Sequence, residues 1–271
     1  MTIMNLVKMS LKSLWEKKHL WFLGFFVATA TGGGASYHAG GGTGFLPVWV
    51  VPAILGGAVL AIAFAVMHMI SEGALIEAIG RERNNQETSL RAELASGRRH
   101  MWQILGIKLV YGGISFLLVA LVGLPVLGMV TETLPFIVGV PLAVIGGVIA
   151  LPGLLTIHML MQYALRFCVL DGRATFDALR LSKRHLVDRM MESIKMLLAA
   201  ALGNIAGTLA LAVVMLPGVL LGGIAYLVGG MIAGIVVGSL VAMPLIVALI
   251  GARGTFHSAL WTHGFAEQVC G

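Results

Sequence analysis

The sequence predicts an all-α, polytopic membrane protein with six transmembrane helices in three hairpins, each hairpin preceded by a short amphipathic helix at the membrane surface. Of its 271 residues, 58% are hydrophobic and 11% are charged, whereas about 25% of the residues in a soluble domain are charged. The apolar runs exceed the roughly 20 residues that cross a bilayer. The formal charge of +6 does not indicate nucleic acid as a partner, because the charges bracket the apolar runs as membrane-flanking charges do.

The first unit begins with an amphipathic helix at residues 3–16. Its apolar face comprises Ile3, Leu6, Val7, Leu11 and Leu14, and its polar face comprises Asn5, Lys8, Lys12 and Glu16. A basic polar face is typical of a helix in the membrane interface, although the segment could also extend the first spanning helix. Span one is predicted from His19 to Tyr37, as a retained anchor and not a cleaved signal peptide. A glycine-rich loop at 32–44 and span two at 47–71, whose helix continues to Arg81, complete the unit.

The second unit repeats this order. Residues 89–96 form an amphipathic helix, which Gly97 is expected to end, because glycine readily takes the left-handed conformation past a helix terminus. Span three runs from Ile104 to Val130, a tight outer turn occupies residues 131–135, and span four runs from Phe136 to Arg166.

In the third unit, Thr175 is expected to cap the third amphipathic helix with its hydroxyl. Spans five (193–216) and six (222–252) follow, separated by a break at Pro217-Gly218. The tail beyond span six is predicted to be a fourth amphipathic segment, and its aromatic surface would comprise Phe256, Trp261 and Phe265.

The distribution of basic residues predicts the orientation. All 18 lysines and arginines lie in the N-terminal segment, in or beside the two long links, or at Arg253. The loops at 32–46, 131–135 and 217–222 contain none, and Glu132 is their one acidic residue. The positive-inside rule then places both termini in the cytoplasm.

A threefold internal repeat is suggested within the single domain 1–271, with units at about 1–80, 81–172 and 173–271. His19, His100 and His185 each follow two basic residues at the start of an odd-numbered span. Segment 68–75 parallels segment 158–165, and 253–260 is a weaker third copy. Membrane proteins are often built from such repeats. Convergence is the alternative, since every charged end of a membrane hairpin favours basic and amphipathic residues.

Ionisable and polar residues at or near the inner ends of the even-numbered spans are the candidate site residues: His68, Glu72, His158, Gln162 and His257. His68 and Glu72 lie four residues apart and therefore share a helix face, and charged groups at membrane depth tend to face the bundle interior. A structural polar cluster, a proton or substrate path, and a Cu(I) site using the flanking methionines all fit this pattern.

Two further sets of residues predict contacts. The four-residue spacing of Gly230, Gly234 and Gly238 forms a glycine zipper that accepts another helix backbone. Six basic residues are expected at lipid headgroups: Lys17, Lys18, Arg98, Arg99, Lys183 and Arg184. Neither G-x-S-x-G nor H-E-x-x-H occurs, so no catalytic residue, cofactor or metal site is predicted.

Four segments carry a family resemblance: HLWFLGFF, ISEGALIEA, LRAELASGRRHMWQILG and FHSALWTHGF. With them the chain resembles the membrane domain of bacterial glycerophosphodiester phosphodiesterases and its six-span relatives. The resemblance implies a location in a bacterial cytoplasmic (inner) membrane. In that family the membrane domain can be fused to a soluble catalytic barrel, but the spans occupy the length of this sequence. The resemblance therefore implies no hydrolase activity and carries over no catalytic residues.

These observations favour a non-catalytic integral membrane subunit or scaffold. Its partners would be membrane lipids and other integral membrane proteins, or a second copy of the chain. The main alternative is a transporter or channel for a small solute, ion or metal, which would use the polar residues at the ends of spans two and four. An enzyme that acts on lipids is a third possibility.

Overall fold

The computed structural model describes residues 3–32, 50–83, 86 and 89–270. Within these ranges the secondary structure is entirely α-helical, and four helices are long and apolar enough to cross a membrane. The helices are α1 (Ile3–Glu16), α2 (Leu20–Gly32), α3 (Val50–Arg83), α4 (Leu90–Val130), α5 (Phe136–Val169), α6 (Thr175–Asp188) and α7 (Met190–Cys270). For the described residues, the prediction of an all-α fold with several helices that could cross a membrane is confirmed.

Several predicted features lie outside the described residues. They are the glycine-rich loop beyond Gly32, the end of span one at Tyr37, the start of span two at Pro47, and most of the charged link that follows α3. The described part of span one is α2, an apolar helix of 13 residues.

The chain divides into two compact units. The first contains residues 1–101 and 198–271, and the second contains residues 102–197. Helices α4 and α7 each contribute residues to both units.

In the first unit, the predicted helix end at Gly97 is wrong. Helix α4 continues without interruption from Leu90 to Val130. A methyl group at Gly97 would overlap the carbonyl oxygen of Ile70 and would lie 2.9 Å from the backbone nitrogen of Ala74. Glycine is needed here because two helix backbones touch, as small residues allow.

The predicted break at Pro217-Gly218 is also wrong, because helix α7 bends at Gly230 instead. Gly230 has φ 77° and ψ −172°, a conformation that glycine adopts and other residues avoid. The segments on either side fold back on each other, since a Cβ at Gly222 would lie 3.0 Å from the carbonyl oxygen of Gly234. Each arm has about 40 residues, roughly twice the length that crosses a bilayer.

In the second unit, α4 and α5 form a hairpin through the predicted turn at 131–135. The amide of Leu134 donates to the carbonyl of Gly128 at 2.9 Å, and Glu132 has a positive φ of 58°. Further along, a Cβ at Gly146 would lie 2.8 Å from the carbonyl oxygen of Leu121. The two helices therefore pack backbone to backbone.

The tightly packed cores lie at the ends of the long helices, whereas the middles of the apolar stretches expose large side chains. Residues 71–76 of α3, 162–169 of α5 and 258–265 of α7 are buried on every side. The predicted aromatic surface of the tail is therefore wrong, because Trp261 and Phe265 are buried in the first unit. Leu20, Leu23, Val27, Ala74, Leu75, Ala78, Ile79 and Ala259 form one apolar cluster there.

Helix α2 contacts the last part of α7 through glycines. A Cβ at Gly24 would overlap the carbonyl oxygen of Gly251, and a Cβ at Gly254 would overlap that of Gly24. The hydroxyl of Thr255 donates to the carbonyl of Leu20 at 3.0 Å. This contact joins the beginning and the end of the described chain within one unit.

Candidate functional site

The predicted His68–Glu72 pair forms in the first unit. Both residues lie on α3 and are buried. Nε2 of His68 is 3.8 Å from Oε2 of Glu72, across one helical turn. Both side chains thus lie on a face of α3 that is covered by protein.

Helix α2 fixes the orientation of the His68 ring. Nδ1 of His68 lies 2.9 Å from the carbonyl oxygen of Phe26. Because a carbonyl only accepts hydrogen bonds, Nδ1 must carry the hydrogen. The other ring nitrogen, Nε2, then faces the Glu72 carboxyl group.

This orientation defines what the pair can do chemically. In a neutral ring protonated on Nδ1, Nε2 presents a lone pair, which would face a carboxylate oxygen. One proton, on Nε2 or on the carboxyl group of Glu72, makes this contact attractive. The pair therefore has the chemistry of a proton-binding site, or of two ligands for a cation.

A groove of about 510 Å³, lined by residues of α2 and α3, adjoins His68. Its walls are mainly apolar, and its lining comprises Thr29, Leu60, Ala61, Phe64, Ala65, His68 and Met69. Met69 brings a thioether to the same groove as the imidazole. Among the described residues, no group of three or more His, Cys, Asp or Glu side chains is placed to hold a metal ion.

His158 and Gln162, the other pair of the predicted cluster, belong to the second unit. The side-chain oxygen of Gln162 accepts a hydrogen bond from Nη1 of Arg166 at 2.8 Å, and the same Nη1 donates to the Gln162 carbonyl at 2.6 Å. His158 is half-buried on the same helix, α5. Gln162 thus accepts hydrogen bonds from a buried arginine.

His257 lies on α7 in the first unit and is half-buried. The centre of its ring is 6.4 Å from that of Trp261, at an interplanar angle of 54°. This contact places His257 beside the buried tail of α7.

Sequence reasoning missed three buried polar contacts. Arg166 is fully buried, although its position at the end of span four was interpreted as a flanking charge. In the first unit, Glu93 is buried with Oε1 3.6 Å from Nε2 of His19, and Oγ of Ser13 lies 3.1 Å from Nε2 of His263. The one available signal was a charged or polar residue surrounded by apolar neighbours, as at Arg166.

The predicted glycine zipper is divided between two roles. Gly230 makes the bend of α7, while Gly234 and Gly238 lie against Gly222 on the opposite arm. Over this close contact lies an apolar groove of about 670 Å³. Methionine, valine and isoleucine side chains form its sides: Met215, Val219, Met231, Ile235, Met243 and Ile246.

The six predicted headgroup residues are all at the surface. Lys18, Arg98, Arg99, Lys183 and Arg184 are exposed, and Lys17 is half-buried. Nζ of Lys18 lies over the Trp15 ring, 5.7 Å from its centre, within the range of a cation–π contact.

A comparison with known protein families, characterised proteins and solved structures finds no match to this chain.

Proposed function

We propose that this protein is a non-catalytic integral membrane scaffold that binds other membrane proteins or lipids. In this proposal it crosses a bacterial cytoplasmic membrane six times, with both termini in the cytoplasm. The four long apolar helices support a multi-pass arrangement, and α7 supplies two of the spans because it bends at Gly230. Helix α2 would belong to the remaining span and would pair with α3 in the first hairpin.

The observation that carries the scaffold role is the groove on the α7 hairpin. Its floor is glycine and its sides are flexible or branched apolar side chains. Helices associate in lipid by van der Waals packing, for which small residues allow close approach, and methionine adapts its shape to different partners. Such a groove suits an apolar helix of another membrane protein.

A substitution that fills the groove without disturbing the hairpin tests this role. Gly223 lines the groove, and a Cβ there meets no atom within 4 Å. Gly223→Leu should therefore leave α7 folded but reduce the partner protein that copurifies in detergent-free membrane particles. Gly123→Leu is the matched control, because Gly123 is also exposed and open. The proposal would be contradicted if the wild-type protein were a lone monomer in these particles and kept its cellular function in that form.

A transporter or channel is the second candidate, favoured by the buried His68–Glu72 pair beside an apolar groove. Proton-linked transport needs a group that takes up and releases a proton within the membrane. Reconstituted protein should then move protons or a cation across liposomes, and Glu72→Gln should abolish the flux. Equal flux by wild-type and variant protein would remove this candidate.

We also propose the threefold repeat and the kinship with the glycerophosphodiester phosphodiesterase membrane domain. Both are supported by the buried ends of α3, α5 and α7, which coincide with the three parallel segments of the sequence. A structure-based superposition of the three segments from an experimental structure would test the repeat.

A further inference from the structure

Helix α1 packs on the first unit by a side that overlaps the predicted apolar face only in part. Leu6, Ser10 and Ser13 are its buried residues. The Ser10 hydroxyl donates to the carbonyl of Leu6 at 2.9 Å, and Ser13 contacts His263. The small side chains of Ser10 and Ser13 thus let α1 lie close to the rest of the first unit.

The opposite side of α1 carries large apolar side chains. Met4, Leu11 and Trp15 are 61%, 42% and 62% exposed. With Lys8 they are spaced by four, three and four residues, so all four fall on one stripe of the helix. Leu11, predicted to share a face with Leu6, therefore points away from the packed side. An exposed apolar stripe of this kind marks an interaction surface.

The charges around this stripe are basic. Lys8 lies within it, and Lys12 lies on its border, where its Nζ is 3.7 Å from the carboxylate of Glu16. Lys17 and Lys18 follow at the end of the helix. With four lysines and one glutamate, the segment 4–18 complements a negative surface.

The stripe ends where the first apolar helix starts. The ring centres of Trp15 and Trp21 are 6.2 Å apart, and Nε1 of Trp21 donates to the carbonyl of Leu14 at 3.0 Å. Trp21 is in the first turn of α2. Tryptophans are enriched at the boundary between the membrane and water, which puts the outer side of α1 at headgroup level.

We propose that the outer stripe of α1 (Met4, Lys8, Leu11 and Trp15) lies in the surface of an anionic phospholipid leaflet. Its apolar side chains enter the upper acyl region, and the lysines contact headgroup phosphates. The proposal rests on the proposed membrane location and names anionic lipid as one partner of the scaffold.

Helix α6 shows the same arrangement independently in the second unit. Phe176 and Val187 are 79% and 70% exposed. Arg180 and Lys183, also exposed, lie between them with the same spacing of four, three and four residues. Ala178 and Ser182 form the buried side. An apolar and basic outer stripe, backed by small residues, thus occurs on two amphipathic helices.

Nitroxide accessibility tests the position of the stripe. The full chain, with Cys168→Ser and Cys270→Ser, is placed as single copies in nanodiscs of equal parts phosphatidylglycerol and phosphatidylcholine. One variant carries a label at Leu11→Cys; the matched control carries it at Asn5→Cys, which is exposed on the polar border of the same helix. The Leu11 label should be relaxed more by oxygen than by a nickel chelate, and the Asn5 label should show the reverse.

Three results would overturn the proposal. A Leu11 label that matches the Asn5 label would mean that the stripe faces water, and a label shielded from both reagents would mean that protein covers it. Adding Lys8→Glu and Lys12→Glu should lower the preference of the Leu11 label for oxygen in the discs that contain phosphatidylglycerol. In discs of pure phosphatidylcholine the two substitutions should leave this preference unchanged. If the preference is the same with and without the substitutions in both kinds of disc, anionic lipid has no role. Because each disc holds one chain, these results do not depend on whether the protein forms an assembly.

Discussion

Replacing Gly97 with alanine should destabilise the first unit. The added methyl group would overlap the Ile70 carbonyl oxygen and approach the Ala74 nitrogen. Both are backbone atoms of α3, so they cannot rotate away as a side chain would, and α3 and α4 must separate. Overpacking lowers the free energy of unfolding by up to about 3 kcal/mol, and the higher helix propensity of alanine offsets about 1 kcal/mol of this loss. We therefore expect a net loss of about 2 kcal/mol.

The expected loss is measurable as a fall in the thermal midpoint. In a chain of this size 1 kcal/mol corresponds to roughly 2–4 °C, so the midpoint should fall by about 4–8 °C. Tryptophan fluorescence during heating in detergent follows this transition. Gly113→Ala is the matched control, since Gly113 is on the same helix but a Cβ there meets nothing within 4 Å; it should be neutral or stabilising. Equal midpoints for the two variants would refute the backbone contact.

Three other changes have defined outcomes. In a cysteine-free background, a cysteine at Thr133 should react with an impermeant thiol reagent from outside the cell and one at Gln86 only after permeabilisation; the opposite labelling would refute the orientation. Tyr163→Phe removes a 2.8 Å hydrogen bond to a buried serine of α7 and should cost about 1 kcal/mol of unfolding free energy, which denaturant titration would detect. His68→Leu should cost about 1–3 kcal/mol, because it removes the donor to α2 and the ring beside Glu72. Adding Glu72→Leu should recover part of that loss if the two side chains interact.

The sequence allowed the helical class to be predicted because lipid imposes simple rules on length and charge. A long apolar stretch must satisfy its backbone internally, so it forms a helix wherever it crosses the membrane. The turn at 131–135 followed from the same rules and is present.

The positions of the breaks could not be predicted, because a glycine has several uses. Gly97, Gly218 and Gly230 look alike in the sequence, but one touches a neighbouring backbone, one packs in a hairpin and one makes the bend. Which use applies depends on contacts that are distant in the chain, such as the approach of Gly97 to Ile70.

The candidate site was predictable only within one helix. His68 and Glu72 share a face by spacing alone, whereas the hydrogen bond to Phe26, which orients the ring, joins residues 42 positions apart. The same limit applies to α1: both of its sides contain apolar residues, so periodicity could not identify the side that packs on His263.

The contact between Thr255 and Leu20 has a consequence for biosynthesis. The two residues are 235 positions apart, so at about 5–20 residues per second the ribosome needs roughly 12–50 s to make the second after the first. During that interval the glycine side of α2 has no partner from α7. Helix α2 is therefore made well before its partner, with the glycine surface that α7 later covers still open, and in this interval a chaperone or a quality-control protease would have access to it.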